Sequence, residues 1–398
     1  MTISPPAKVK TAAQELQVLA SGIDTLYLAI DVHWASTDHF DYLAELKEIA
    51  KQERREAPGH FVLENDKFLF NVKQSGRDGY EWLIYNKEFT FSIGKWTAPI
   101  SKPSVLVHIS SEALWHLGAE NTVNRIIEII LSLGGSRITI KPSRVDLCLD
   151  VLLSNGIWDP ELREYKVNRA AYMGIHFHHR KLTGFSIGKG KLSARLYDKP
   201  LEICQQSKKF WMYDIWGVHT VPKGMKIIRV EFQLRREALT ELAVKGIDDL
   251  FDYTGNLWIY CTQKWLKFQT NPGKHHTQRK VLDWWRAIQD GFTGAQEKHP
   301  LIRSKAVSFD IDRNTAQSIG NMRALIAALI AARHLDEYVS AEIEDGLKYI
   351  AKHVNRSEEN KDEFAASVRE KIAKVNRTNS RHMKAEQQRK KLHLPTTH

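Results

Sequence analysis

Three short stretches of this chain combine carboxylates, cations and a phenol at spacings that put them on common faces. In SRVDLCLDV, residues 143–151, Arg144, Asp146, Cys148 and Asp150 alternate with Val145, Leu147, Leu149 and Val151. Successive side chains of a strand point to opposite faces. A strand here therefore has one apolar face and one face carrying Arg144, Asp146 and Asp150. Aspartate is a poor strand former, so two of them four residues apart point to a role beyond solvation. In KIIRVEFQLRRE, residues 226–237, Arg229, Glu231, Gln233 and Arg235 alternate with Ile228, Val230, Phe232 and Leu234. In LTGFSIGKGKLSARLYDKPLE, residues 182–202, Ser193, Arg195, Tyr197 and Lys199 share one face, and Leu192, Ala194 and Leu196 share the other. Glu202 follows just beyond Pro200.

Joined in one sheet, these strands would line a groove with Asp146, Asp150, Glu231 and Glu202, ringed by Arg144, Arg195, Lys199 and Arg229. Carboxylate oxygens suit a hard cation, Mg2+ or Mn2+. Such a cation polarises a phosphodiester oxygen, and arginine or lysine holds the non-bridging oxygens. A tyrosine beside them can attack phosphorus and keep the bond energy in a covalent link. A free phenol has a pKa of about 10; Arg195 and Lys199, on either side of Tyr197, are expected to lower it. The plainer alternatives are a tyrosine packed at a sheet edge and solvated charges on half-exposed strands.

The elements that must carry these residues are legible from periodicity. Residues 1–20 read as a flexible lead. GIDTLYLAIDV from Gly22 reads as a strand, as do HFVLEN, KFLFNVKQ, YEWLIYN and SVLVHIS. Residues 40–56 and 121–133 have helical spacing, the second stopped by Gly134 and Gly135. Gly188-Lys189-Gly190 is a hairpin turn, and Pro200 ends the strand that follows it. Residues 315–352 read as a long helix with Ile319, Met322, Leu325, Ile326, Leu329 and Ile330 on one stripe. The reading is an α+β protein: a flexible lead over 1–20, then an antiparallel-rich β-sheet domain over 21–290 with helices packed on one face. A helical C-terminal region follows over 291–355, then a charged, partly disordered tail over 356–398.

Taken in order, these segments resemble the trans-acting replication initiator family (Rep_trans) of rolling-circle plasmids, some filamentous phages and integrative elements. GIDTLYLAI at 22–30 resembles its opening strand, SRVDLCLDV its arginine-x-aspartate strand and RVEFQLRRE at 229–237 its arginine-x-glutamate strand. TGFSIGKGKLSARLYDKPLE at 183–202 resembles its hairpin and is the most specific piece. The paired tryptophans in TQRKVLDWW, at 284–285, are similar to a feature near the end of its conserved region. The resemblance covers roughly residues 20–290. It implies Tyr197 as nucleophile, with Asp146, Glu202 and Glu231 as metal ligands and Asp150 as a further candidate. The implied reaction nicks one strand at a replication origin, leaving a 5′-phosphotyrosyl link and a free 3′-hydroxyl, and later rejoins strands. The implied partners are double-stranded origin DNA, the displaced single strand, a superfamily 1 helicase and a second copy of the chain. A relaxase of an integrative element would use the same chemistry. A noncatalytic origin-binding regulator is the reading from another class. His176-Phe177-His178 is similar to the metal-binding triplet of HUH endonucleases, though Tyr197 follows only 19 residues after His178 and in a strand. DNA-phosphate contacts or ordinary surface histidines are the alternatives for the pair.

The whole composition agrees with such partners. Of 398 residues, Lys and Arg number 58 and Asp and Glu 47, a formal net charge of +11. That excess attracts polyanions, nucleic acid foremost. Lys264, Lys267, Lys274, Arg279 and Lys280 form a basic stretch expected to hold phosphates, with Lys189 and Lys191 of the hairpin turn as further contacts. Of the 11 tryptophans, the pairs Trp211/Trp216 and Trp284/Trp285 are candidates for base stacking or for packing. Three separated cysteines make neither a disulfide framework nor a zinc site and fit a reducing cytoplasm. The small apolar run 324–332 is too short to cross a bilayer, so no membrane partner is expected.

Overall fold

Thirteen strands are described: β1 (Leu16–Trp34), β2 (Ala57–Val62), β3 (Lys67–Val72), β4 (Trp82–Tyr85), β5 (Phe89–Ile93), β6 (Val105–Ile109), β7 (Gly135–Ser154), β8 (Lys166–Asn168), β9 (Met173–His178), β10 (Lys181–Ile187), β11 (Leu192–Asp198), β12 (Met225–Arg235) and β13 (Leu266–Phe268). Eleven join one sheet in the order β2-β3-β4-β5-β6-β1-β7-β12-β11-β10-β9, with every pairing antiparallel; β8 and β13 pair apart from it. This computed structural model describes residues 16–270, 278–295, 298–305, 311–331 and 343–396. They fall into two compact units, Met1–Arg303 with Leu392–His398, and Ser304–Lys391. The fold is α+β.

The two central strands are the longest, at 19 and 20 residues. Their ladder shifts register at four places. One shift falls between Ile23 and Thr25, at Asp24, and another where Pro142 meets Leu28. Proline cannot donate a ladder hydrogen bond, so it is confined to such irregularities inside a sheet. An extra residue at a bulge also re-aims a side chain, and Asp24 gains its place in the site this way.

The main core lies on one face. Leu26, Leu28 and Ile30 of β1 and Val145, Leu147 and Leu149 of β7 pack there with the helices Asp38–Glu53 and Ala119–Ser132. Trp258, Trp265, Trp285 and Ile288 extend that core under β12. A smaller cluster caps part of the opposite face. It joins Leu19, Ala20, Cys148, Leu152 and Ile227 of the sheet to Trp115, Ile203, Met212 and Trp216. These come from the helix Ser111–Leu117, the π-helical turn Ile203–Ser207 and the helix Met212–Trp216.

Several boundaries differ from the sequence reading. The first strand begins at Leu16, within the expected lead, because Leu16–Ala20 pair with the end of β7; residues 1–15 lie outside the described residues. The strand β5, FTFSI, was not expected. Phe292, Ala295 and Leu301 pack into the main core, so the first unit runs past residue 290. In the second unit the expected 315–352 helix is two helices, Ile311–Ala331 and Ile343–Val354. Met322, Ile326 and Leu329 of the expected stripe are buried. Gly346 lets these helices approach: a Cβ there would stand 2.2 Å from the Met322 sulfur. The region 356–398, expected to be partly disordered, carries the 34-residue helix Glu358–Lys391. Its charge reads as a solvated tail, but alanine, glutamate, lysine, glutamine and arginine are strong helix formers. No helix among the described residues is long and apolar enough to cross a membrane.

Candidate active site

Register decides which acid meets which base. Arg195 of β11 stands opposite Glu231 of β12, and Tyr197 opposite Arg229. Across the next ladder Arg229 faces Asp150, Glu231 faces Cys148 and Gln233 faces Asp146 of β7. All these polar residues share the face away from the main core. On the far side of β11, Tyr197 meets Gly184 of β10. A Cβ at Gly184 would lie 2.8 Å from the Leu196 carbonyl oxygen and 3.1 Å from the Tyr197 Cβ. Only glycine fits beside the phenol-bearing residue, which explains the Thr-Gly start of the hairpin. Gly188 and Gly190 close that hairpin at φ of 76° and 81°, where other residues are strained.

Tyr197 is half-buried, and its hydroxyl donates to Glu231 Oε2 at 2.8 Å. Arg195 binds the other oxygen of Glu231, and its Nη2 lies 3.9 Å from Asp146 Oδ2. Arg144 Nε donates to Asp146 Oδ1 at 2.8 Å, and its Nη2 contacts Oδ2. Asp146 and Glu231 are buried, whereas the Arg195 side chain is 50% exposed. One solvent-facing guanidinium thus spans two buried carboxylates. Burial pushes the Asp146 carboxyl up to about 6 against the pull of Arg144, and the negative Glu231 adds to the rise.

The expected lowering of the Tyr197 pKa is not what the structure gives. Burial raises it well above the ordinary phenol value, and the Glu231 carboxylate raises it further; Arg229 opposes them. The reason lies with the two flanking cations. Arg195 is spent on Glu231, and Lys199 is buried with its ammonium 2.6 Å from Glu202 Oε2. Burial and the nearby Arg229 lower the Lys199 pKa. Lys199 also opens the helix Lys199–Glu202 and does not continue the strand, because Asp198 caps that helix through Leu201 N at 3.1 Å.

A second cluster lies directly beside the phenol and closes on itself. Arg229, wholly buried, donates to both oxygens of Asp150 at 2.7 Å and to Asp24 Oδ1 at 2.7 Å. The indoles of Trp216 and Trp115 complete it, donating to Asp150 at 2.8 Å and to Asp24 at 3.1 Å. Ser111 donates to Asp24 at 2.8 Å. Burial works against ionisation of Asp24, but Arg229, Lys209, Lys199 and Ser111 hold its carboxyl well below the usual carboxylate range. Arg229, expected on DNA phosphates, is out of reach of any ligand here. Asp150, expected near a metal, has both oxygens committed. These two expectations are corrected: the pair is a structural ion pair under the site. Asp24, Ser111 and Trp115 were missed; an aspartate within the β-rich run GIDTLYLAI was the available signal.

Of the four carboxylates expected at a cation, the fold brings Asp146 and Glu231 together. Glu202 is tied to Lys199 and, at 3.2 Å, to Ser207. Among the described residues no group of three or more His, Cys, Asp and Glu is disposed to hold a metal ion. Asp146 and Glu231 have their own oxygens bonded, to Arg144, Arg195 and Tyr197, so a cation there would have to displace these partners. Two carboxylates fit a magnesium ion, which keeps several waters and takes one or two carboxylates plus substrate phosphate. His176 and His178 are exposed on the edge strand β9; His176 bonds Ser186 at 2.7 Å and His178 bonds Gln205 at 3.2 Å.

The expected phosphate contacts are scattered. Arg144 is part of the site. Lys189 lies over the Tyr172 ring at 3.7 Å, and Lys191 pairs with Glu241 at 2.9 Å. Lys264 and Lys280 are exposed, Lys267 and Arg279 half-buried, and Lys274 lies outside the described residues. Lys264 and Lys267 are sequence neighbours of Trp265 and Phe268, which pack into the main core on the face opposite the phenol. Trp284 and Trp285 are buried in that core, so they pack and do not stack on bases. No family model, curated protein or solved structure matches this chain.

Proposed function

We propose that this chain is a metal-dependent DNA nickase that initiates rolling-circle replication, with Tyr197 as its nucleophile. The observation that carries the reading is the Tyr197 hydroxyl bonded to Glu231, beside Asp146 and a half-exposed Arg195. The ordered resemblance to the Rep_trans initiators supports it. Glu231 orients the phenol at 2.8 Å, and the phenol proton passes to water as the bond to phosphorus forms. The phenol oxygen attacks phosphorus and the P–O3′ bond breaks. The bonding pair stays on the 3′-oxygen, which takes a proton from water, and the 5′-phosphate remains on Tyr197. The raised phenol pKa keeps the tyrosine neutral until phosphate arrives. Arg195 and Arg144 then turn from carboxylates to the non-bridging oxygens. Asp146 and Glu231 would hold the divalent cation, which offsets charge on the phosphate.

By the same resemblance the chain acts as a homodimer with a superfamily 1 helicase, on double-stranded origin DNA and the displaced strand, and its three separated cysteines suit a reducing cytoplasm. Relaxase work on an integrative element would use the identical step. The closed Tyr197–Glu231–Arg195 chain also favours a second reading, a noncatalytic origin-binding protein that keeps the fold. Supercoiled DNA of the element that encodes the chain separates them. With magnesium or manganese, the nickase yields open circles with protein covalently on a 5′ end. Tyr197→Phe binds that DNA equally but forms no adduct. An adduct on Tyr197→Phe removes Tyr197 from its role, and metal-independent binding without any cleavage favours the second reading.

A further inference from the structure

The segment between β11 and β12 does two things at once. Its inner side seals the buried ion pair: Trp216 bonds Asp150, and the Met212 sulfur lies 3.8 Å from Arg229 Nη2. Its outer tip, Lys208-Lys209-Phe210-Trp211, turns sharply, with Lys208 at a φ of 57° and Phe210 N bonded to the Lys208 carbonyl at 2.8 Å. The tip is held at both ends, by Lys208 N on the Ile203 carbonyl and by Tyr213 N on the Phe210 carbonyl. Phe210 stands 54% exposed on this fixed turn. Trp211 is half-buried against exposed His116, ring centroids 5.1 Å apart.

The tip borders the phenol's own neighbours. Ser207 bonds Glu202, which is paired with Lys199, and Lys209 Nζ lies 3.9 Å from Asp24 Oδ2. An exposed aromatic ring that follows two lysines on a fixed turn, linked through Lys209, Asp24 and Arg229 to the strand of Tyr197, matches one kind of partner. Unpaired bases offer faces to a ring, and their phosphates answer the lysines. Paired bases offer no such face.

We infer that Phe210, preceded by Lys208 and Lys209, is a stacking contact for an unpaired base of single-stranded DNA running past Tyr197. The inference rests on the proposed nickase reading and names the form in which its substrate is held. It ties strand separation to the cut: the nucleophile's neighbour grips the strand only where the duplex is open.

The probe is a fluorescein-labelled 20-nucleotide oligo(dT), read by fluorescence anisotropy with the full chain. Phe210→Ala weakens binding about tenfold or more, the effect of removing one stacked base, and Phe210→Trp stays near wild type. A 20-base-pair duplex binds Phe210→Ala as it binds wild type. Lys208→Gln, which leaves Lys209 beside Asp24, lowers the slope of log affinity against log salt by about 0.7, the value for one phosphate neutralised on a single strand. Unchanged oligo(dT) affinity of Phe210→Ala overturns the inference, as does an equal loss on duplex or no binding of oligo(dT) by wild type. Unchanged affinity together with a wild-type adduct on origin DNA sinks the stacking contact alone. A Phe210→Ala loss with no adduct from wild type sinks the nickase reading and leaves the contact standing.

Discussion

Asp146 is a carboxylate kept where it is costly. Its side chain is 1% exposed, and its pKa rises from an ordinary 3.8 to about 6. Folding therefore favours the protonated form. That contribution is complete below about pH 4 and is lost as the pH climbs through 6. An asparagine keeps the shape and an acceptor for Arg144 without the buried charge. Asp146→Asn should gain on wild type between pH 4 and pH 8, by up to about 3 kcal/mol at about 1.4 kcal/mol per pKa unit. Melting temperatures of the two proteins across that range test it. A difference that does not vary with pH removes the buried negative charge from the account. On the proposed nickase reading the same substitution should also abolish the adduct, because the cation would lose one of its two carboxylates. A more stable protein without chemistry is what separates a functional acid from a structural one. Asp150 makes the contrast: it is equally buried, but its partner Arg229 is wholly buried with it, whereas the Arg144 side chain that holds Asp146 is 27% exposed.

At the scale of elements, β10 and β11 act as one device. Gly184 lets the two strands close beside Tyr197, and the approach leaves no room for a methyl group. Gly184→Ala should cost about 1–3 kcal/mol, the usual penalty of overpacking, measured by urea denaturation. It should also slow adduct formation, since the nearest side-chain atom to give way is the Tyr197 Cβ. A variant with wild-type stability would mean that β10 shifts freely. The strand faces themselves were legible in the sequence, because a period of two needs no knowledge of neighbours. Val145, Leu147, Ala194, Leu196, Val230 and Phe232 all point to the core as read. Partner choice was not legible. Arg144, Arg195 and Arg229 look alike along the chain, and inter-strand register alone gives Arg229 to Asp150 and Arg195 to Glu231. Nor did alternation reveal that the segment 203–216 folds back over the polar face. That cover turns Arg229 from a phosphate contact into a buried pair, and its signal was confined to scattered apolar residues such as Ile203, Met212 and Trp216.

At the scale of the molecule, the sheet of the first unit is built in two similar halves. Each opens with a long central strand, leaves for an edge and returns strand by strand, so that β6 ends beside β1 and β12 beside β7. The phenol and its acids sit in the second half, while Tyr27 and His108 stack on the same face in the first, with Arg144 over the Tyr27 ring at 5.3 Å. The net charge of +11 is not concentrated at that site, where acids and bases nearly balance. The second unit's last helix begins with Glu358 and Glu359 and ends with Arg389, Lys390 and Lys391, and from Lys371 on it carries eight Lys and Arg against the single acid Glu386. Acids at the start and bases at the end also suit the helix dipole. Lys371, Lys374, Arg377, Arg381, Lys384, Lys390 and Lys391 lie along it, all exposed, whereas Arg389 is buried on Glu386. Such a row binds duplex phosphates without reading sequence. Replacing Arg381, Lys384, Lys390 and Lys391 by glutamine should therefore weaken duplex binding alike for origin and unrelated DNA. The slope of log affinity against log salt should fall by about 0.9 for each phosphate left without its cation. Adduct formation on a short single strand should be unchanged, because these residues belong to the other unit. An unchanged salt slope would assign the helix a role other than DNA, and a loss confined to origin DNA would make it a reader of sequence.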